Sequence, residues 1–201
     1  IVFEAEDCAY CKQFKAEILD SWKSEVPVAR SMSSTPPAGW TLEKALFATP
    51  TIVLFENGKE VSRFTGYTGD KPRFWKWLGF HLLTPEQQKI AFEQGTERPG
   101  TGSHLDEKRP GTFVDPISGA ALFRSDAKFD SGSGWPSFFS PLPGALIEHA
   151  DLGATRWVAP IELALEDVAR INPPDHPHRT PEGLPLAYEM FPGNTADKTT
   201  L

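Results

Sequence analysis

The chain has two cysteines, and both lie in one motif, Cys8-Ala9-Tyr10-Cys11. Two thiols at this spacing fit disulfide exchange better than a structural role. They are too close to staple a fold and too few for a disulfide framework. A closed zinc site usually takes four ligands, and there is neither a second cysteine pair nor a His-x3–5-His. Placed at a helix N-terminus, the first sulfur would face unpaired backbone N–H groups and the positive end of the helix dipole. Both favour the thiolate and can lower a cysteine pKa from about 8.5 to about 3.5–7.5. The second cysteine, one turn on, could then attack a mixed disulfide and release the reduced partner. Cys8 is therefore expected to attack and Cys11 to resolve. The competing reading is two unrelated buried cysteines.

The flanking elements must place this pair. Ile1 to Ala5 reads as a short buried strand, and Asp7 is positioned to cap a helix carrying Phe14, Ile18, Leu19 and Trp22 at helical spacing. Val26 to Met32 reads as a second strand and Thr41 to Phe47 as a short helix. Thr51 to Phe55 is a β-branched apolar run that suits a central strand. Asn57-Gly58 is a hairpin turn, because both residues tolerate positive φ. Glu60 to Thr65 returns as its partner strand. Lys71 to Leu82, with Phe74, Trp75, Trp77 and Leu78, predicts a packed helix. The expected order is β-α-β-α-β-β-α.

At Thr84 the character changes. Thr84-Pro85-Glu86-Gln87 is a helix start with Thr as N-cap, Pro at N1 and Gln at N3, and the helix is expected to end near Gly95. Residues 96–144 are rich in Gly, Pro, Ser and Phe and predict small strands joined by turns. Pro160 to Ile171 could form a short helix, and Pro173 to Pro181 should be a loop. Most of the 19 prolines lie beyond residue 84, so helix should not dominate there.

A net charge of −7 without a basic stripe argues against nucleic acid as a partner. No run approaches the roughly 18 consecutive apolar residues of a membrane span. The chain opens at Ile1-Val2-Phe3 inside an apparent strand, so further residues are expected upstream. The compartment stays open between cytoplasm and bacterial periplasm.

Three stretches together resemble the thioredoxin superfamily: Phe3-Glu4-Ala5-Glu6-Asp7-Cys8-Ala9-Tyr10-Cys11-Lys12, Thr49-Pro50-Thr51, and Phe55-Glu56-Asn57-Gly58-Lys59-Glu60. The resemblance covers nearly all of residues 1–83. It implies an α/β thioredoxin-like domain with Pro50 in the cis form beside the cysteine pair, so that Cys8, Cys11 and Pro50 make up the catalytic set. Ala9-Tyr10 replaces the Gly-Pro of typical thioredoxins. The intervening dipeptide influences redox potential.

Residues 84–149 resemble the methionine-R-sulfoxide reductases of B type. The matching runs are Leu83-Thr84-Pro85-Glu86-Gln87, Gly95-Thr96-Glu97-Arg98-Pro99, Thr101-Gly102, Leu122-Phe123 and, above all, Lys128-Phe129-Asp130-Ser131-Gly132-Ser133-Gly134-Trp135-Pro136-Ser137-Phe138. The resemblance assigns Trp135 to pack on the methyl group of the sulfoxide substrate. Apart from the family, a core tryptophan in a Gly-rich turn is the simpler reading. Many members hold structural zinc with two Cys-x-x-Cys pairs. Here Asp115-Pro116-Ile117-Ser118 stands at the first pair's place, so no metal is expected, and no cofactor. The family's nucleophile, a cysteine in an Arg-Tyr-Cys-type strand, and its preceding His-x-x-His segment are absent. The recognisable match stops near Glu148-His149, and His149 is expected to be a surface residue.

Residues 181–201, Pro181-Glu182-Gly183-Leu184 through Lys198-Thr199-Thr200-Leu201, resemble an internal stretch of DDE-type insertion-sequence transposases. Transposition needs a full set of metal-binding carboxylates, which this fragment lacks, so Asp197 reads as a solvated carboxylate. The expected organisation is a thioredoxin-like domain at 1–83, an incomplete and mainly β reductase domain at 84–153, and an irregular tail at 154–201.

Three functions follow from these expectations. One is a fused methionine-sulfoxide reductase carrying its own reductant, true of the lineage more than of this chain. Another is a thiol–disulfide reductase working through Cys8 and Cys11 alone. The third is a non-catalytic truncated remnant. The expected partners are an oxidised protein or methionine sulfoxide and an upstream electron donor, with no nucleic acid and no membrane.

Overall fold

In the computed structural model, β1 (Val2–Phe3) lies at the centre of a four-stranded sheet. It pairs in parallel with β2 (Arg30–Ser31) and antiparallel with β3 (Thr51–Glu56), which pairs antiparallel with β4 (Lys59–Thr65). The structure describes residues 1–93, 97–151 and 154–158, with 147–158 described by backbone alone.

The β3–β4 turn is the one expected at Asn57-Gly58. Asn57 has φ 51° and Gly58 φ 77°, the pair of left-handed residues that a tight hairpin needs. Val53 is fully buried and Ile52 nearly so, as their β-branched run predicts. Helix α1 (Ala9–Glu17) and helix α2 (Lys71–Leu82) supply the aromatic core. The Phe14 ring meets Tyr67 edge-on at 5.0 Å and Phe74 at 5.1 Å, and Trp22 stacks on Trp75 at 5.6 Å. Phe3, Phe14, Ile18, Tyr67, Phe74 and Leu78 are essentially solvent-free.

Two expectations need correction. Thr41 to Phe47 is not a helix. Its backbone groups are taken by side chains from β4: the Glu43 amide donates to Glu60 Oε2 at 2.8 Å, and Arg63 donates to the carbonyl of Lys44 at 2.8 Å. The strand expected at Val26 to Met32 shrinks to Arg30–Ser31, with Val28 and Met32 exposed. Pro27 supplies no N–H to a ladder, and β2 is an edge strand with a partner on one side only.

The chain divides into two units, the division falling after Trp77. In the second unit, helix α3 (Pro85–Glu93) begins with the expected reciprocal cap. The Gln87 amide donates to Thr84 Oγ1 at 3.2 Å, and the Thr84 amide donates to Gln87 Oε1 at 2.9 Å. Small strands follow where residues 96–144 predict them: β5 (Thr112–Val114) pairs with β6 (Ala121–Arg124) and β7 (Lys128–Phe129) with β8 (Ser137–Phe138), both antiparallel. A further antiparallel pair, β9 (Ile147–Asp151) with β10 (Ala154–Val158), lies beyond that stretch, and β10 occupies the start of the region expected to be an irregular tail. Phe138 stacks on Phe123 at 4.2 Å and meets Phe113 at 4.8 Å. The architecture is thus a thioredoxin-like α/β domain followed by a mainly β domain. The helix end near Gly95, the helix and loop expected between Pro160 and Pro181, Asp197 and the transposase-like stretch lie outside the described residues, as does the His149 side chain.

Candidate redox site

Cys8 and Cys11 form a disulfide at the N-terminus of α1. The helix cap is Cys8 itself rather than Asp7, because its sulfur fills the capping position. Cys8 is extended (φ −95°, ψ 104°), and its Sγ accepts the Cys11 backbone amide at 3.0 Å. An N–H aimed at the sulfur from the first helical turn stabilises negative charge there. Cys8 is partly exposed, whereas Cys11 is 4% exposed. Solvent therefore reaches Cys8, while Cys11 is held behind it.

The Thr49–Pro50 peptide is cis, and it is the only cis bond among the described residues. The Thr49 carbonyl oxygen stands 3.5 Å from Cys8 Sγ. The turn is tied on both sides: Thr51 Oγ1 donates to the Ala48 carbonyl at 2.7 Å, and the Gly66 amide donates to the Pro50 carbonyl at 2.9 Å. Thr49 also lines a groove of about 340 Å³ with Phe3, Glu4, Met32, Leu46 and Phe47. Met32 and Phe47 are exposed large apolar side chains, Phe47 to 81%. Neither was legible as a site residue, because both lie outside the motif and reach the groove only through the fold.

Below the cysteine helix, the Tyr67 hydroxyl donates to Glu17 Oε2 at 2.5 Å. Burial, then this bond, pushes the Tyr67 hydroxyl well above its ordinary pKa. The bonds from Tyr67 and Gln13 hold the Glu17 carboxyl below the usual carboxylate range.

In the second unit, Trp135 is half-buried in a loop built from serines and glycines. Its indole N–H donates to the Glu97 carbonyl at 3.2 Å. Ser131 Oγ lies 2.7 Å from both Ser133 Oγ and Ser137 Oγ, which ties the loop together. Gly134 has φ 88°, and a Cβ there would stand 3.0 Å from Pro99 Cβ and 3.1 Å from the Gly100 amide. Only glycine allows this approach of the loop to the 97–102 segment. Trp135 thus has a fixed indole edge, and both cysteines of the sequence lie in the first unit.

Asp115 opens the turn Asp115-Pro116-Ile117-Ser118. It is 1% exposed, and its Oδ1 accepts from the Ile117 amide at 3.1 Å, the Ser118 amide at 2.6 Å and Ser118 Oγ at 2.7 Å. Its Oδ2 is buried without a partner, yet among the described residues no group of three His, Cys, Asp or Glu could hold a metal ion.

Residues 1–82 match the family described as a thioredoxin-like domain, and residues 83–159 match the SelR domain. The second match runs past His149, where the resemblance read from the residues ended. A peptide methionine sulfoxide reductase MsrB of Acinetobacter baumannii (strain ATCC 17978) is 54% identical over 86 residues, 42% of this chain and 60% of that protein. The MsrB of Leifsonia xyli subsp. xyli is 51% identical over 77 residues, 37% of this chain and 55% of its own. The chain thus spans less than two thirds of the curated relatives it matches. The periplasmic thioredoxin SoxS of Paracoccus pantotrophus, in its reduced form, is 35% identical and aligns over 34% of this chain and 78% of its own, with a TM-score of 0.31. The chain joins a thioredoxin-like domain to a SelR domain.

Proposed function

We propose that this chain is a thiol–disulfide oxidoreductase acting through Cys8 and Cys11. The observation that carries the reading is the asymmetry of the pair: Cys8 is accessible and capped by the Cys11 amide, and Cys11 is buried. The Cys8 thiolate attacks one sulfur of a partner disulfide. The partner's S–S bond breaks, its other sulfur leaves as a thiolate, and a mixed disulfide forms. The Cys11 thiolate then attacks Cys8 Sγ and displaces the partner's remaining sulfur. Two electrons pass to the partner, and the Cys8–Cys11 disulfide is left for an upstream dithiol donor to reduce. Pro50 acts here by placing the Thr49 carbonyl against Cys8. Reduction of insulin disulfides with dithiothreitol tests the assignment. The wild type should accelerate it and Cys8→Ser should not; equal rates overturn the role of Cys8.

The SelR domain supports a second reading, a lineage in which this module re-reduces a methionine-R-sulfoxide reductase. Both cysteines of these 201 residues sit in the thioredoxin-like domain. We therefore read the second domain as shortened, able to hold oxidised methionine against Trp135 but without the nucleophile that would reduce it. A turnover assay on a methionine-R-sulfoxide substrate with dithiothreitol decides this. Turnover that survives the Cys8→Ser/Cys11→Ser double substitution overturns the reading. Residues 181–201 fit either a mobile element inserted in the gene or a sequencing or assembly chimera, and the genomic sequence across codons 145–185 separates the two.

A further inference from the structure

We propose that Arg63 and Glu60 are positioning residues for exchange with protein disulfides, fixing the path of the Leu46–Thr49 wall beside Cys8. The inference rests on the exchange reading above. Arg63 and Glu60 lie on β4 with side chains 17% and 2% exposed, and they bond to each other twice, Nε to Oε1 at 2.5 Å and Nη2 to Oε2 at 2.6 Å. A buried ion pair is a weak source of stability, because desolvation offsets most of its attraction. What distinguishes this pair is where its remaining bonds go. Arg63 Nη2 donates to the Lys44 carbonyl at 2.8 Å and Nη1 to the Ala45 carbonyl at 3.3 Å, while Glu60 Oε2 accepts the Glu43 amide at 2.8 Å. All three are backbone groups of a segment with no helix or strand of its own.

That segment is also tied upstream. The Thr41 amide donates to the Gly58 carbonyl at 2.9 Å, the Glu60 amide donates to the Thr41 carbonyl at 3.1 Å, and Trp40 packs on Phe55 at 4.8 Å. Downstream, Ala48 is held by Thr51 Oγ1. Only Leu46 and Phe47 stand between these anchors, and both line the groove that Thr49 shares. The clamp therefore sets where Phe47 projects into the groove, while the Thr49 carbonyl is held separately by its own turn. A protein disulfide, which must lay chain along this wall, depends on that path. A small disulfide, which needs only Cys8, does not.

The test uses the full chain, reduced and then mixed with insulin or with oxidised glutathione, with Cys8–Cys11 formation followed by acid quench and alkylation. Arg63→Leu should slow oxidation by insulin about tenfold, the scale of a small misplacement of reacting partners, and leave oxidation by glutathione disulfide within about twofold. Chymotryptic cleavage after Phe47 should quicken in the same variant. Arg63→Lys, whose single ammonium cannot reach the carboxylate and both carbonyls at once, should fall between. It also carries the comparison if Arg63→Leu does not fold. Equal slowing toward both disulfides, or no slowing toward insulin, overturns the positioning role. A wild type that neither disulfide oxidises, or a Cys8→Ser chain that accelerates insulin reduction by dithiothreitol as the wild type does, overturns the exchange reading itself and the inference with it.

Discussion

Cys8 Sγ lies 3.5 Å from the carbonyl oxygen of Thr49 and 3.0 Å from the backbone nitrogen of Cys11. The two contacts pull in opposite directions. The amide stabilises a thiolate, whereas the carbonyl oxygen repels one and accepts only a thiol proton. Cys8 thus sits between a group that favours attack and one that favours a sulfur without charge.

The exposure difference within the pair leads to a direct expectation. In the reduced protein, iodoacetamide should modify Cys8 before Cys11, as read by peptide mass spectrometry. Cys11→Ser should accumulate a mixed disulfide with a substrate protein, because the group that releases it is gone. Preferential labelling of Cys11 would reverse the assigned roles.

The Tyr67–Glu17 bond makes stability depend on pH at both ends. The folded state raises the Tyr67 pKa, so its contribution is complete below the ordinary tyrosine value of 10.0 and is lost as pH rises above it. The folded state lowers the Glu17 pKa, so that contribution is present above the ordinary 4.5 and is lost as pH falls through the folded value. Tyr67→Phe should cost about 1.5 kcal/mol near neutrality. It should also flatten both flanks, measured as denaturation midpoints across pH.

Gly79 is buried in α2, where a Cβ would stand 2.6 Å from Ile117 Cδ1 and 2.7 Å from Phe92 Cζ. Alanine ordinarily gains about 1 kcal/mol over glycine inside a helix. Here the crowding against a fully buried Ile117 should outweigh that gain, leaving Gly79→Ala about 1 kcal/mol less stable. Thermal denaturation gives the sign directly.

Asp115→Ala should cost about 2–3 kcal/mol, since three donors lose their acceptor in a buried turn. Asp115→Asn keeps the Oδ1 acceptor and should cost much less. Urea unfolding of the two variants checks the order.

What could be read from the residues was what neighbouring residues decide. The Asn57-Gly58 turn and the Thr84–Gln87 cap need only their own few positions, and both have the expected geometry. The Cys8–Cys11 pair came from one short motif in the same way, whereas the cis bond at Pro50 came from the resemblance to the thioredoxin superfamily. The failures were decided at a distance. Nothing between Thr41 and Phe47 announces that Arg63 takes its carbonyls, and the same holds for the groove that Phe47 and Met32 border. At Asp7 the miss was chemical: an aspartate is the commoner helix cap, but here the neighbouring sulfur does that work.

The Trp22–Trp75 stack also gives the thioredoxin-like domain an optical signature of its own. Two indoles held face to face at 5.6 Å, 26° apart, couple their electronic transitions. Circular dichroism should carry a couplet that vanishes in either Trp22→Phe or Trp75→Phe. Loss of that couplet on heating then follows the melting of this domain without labelling it.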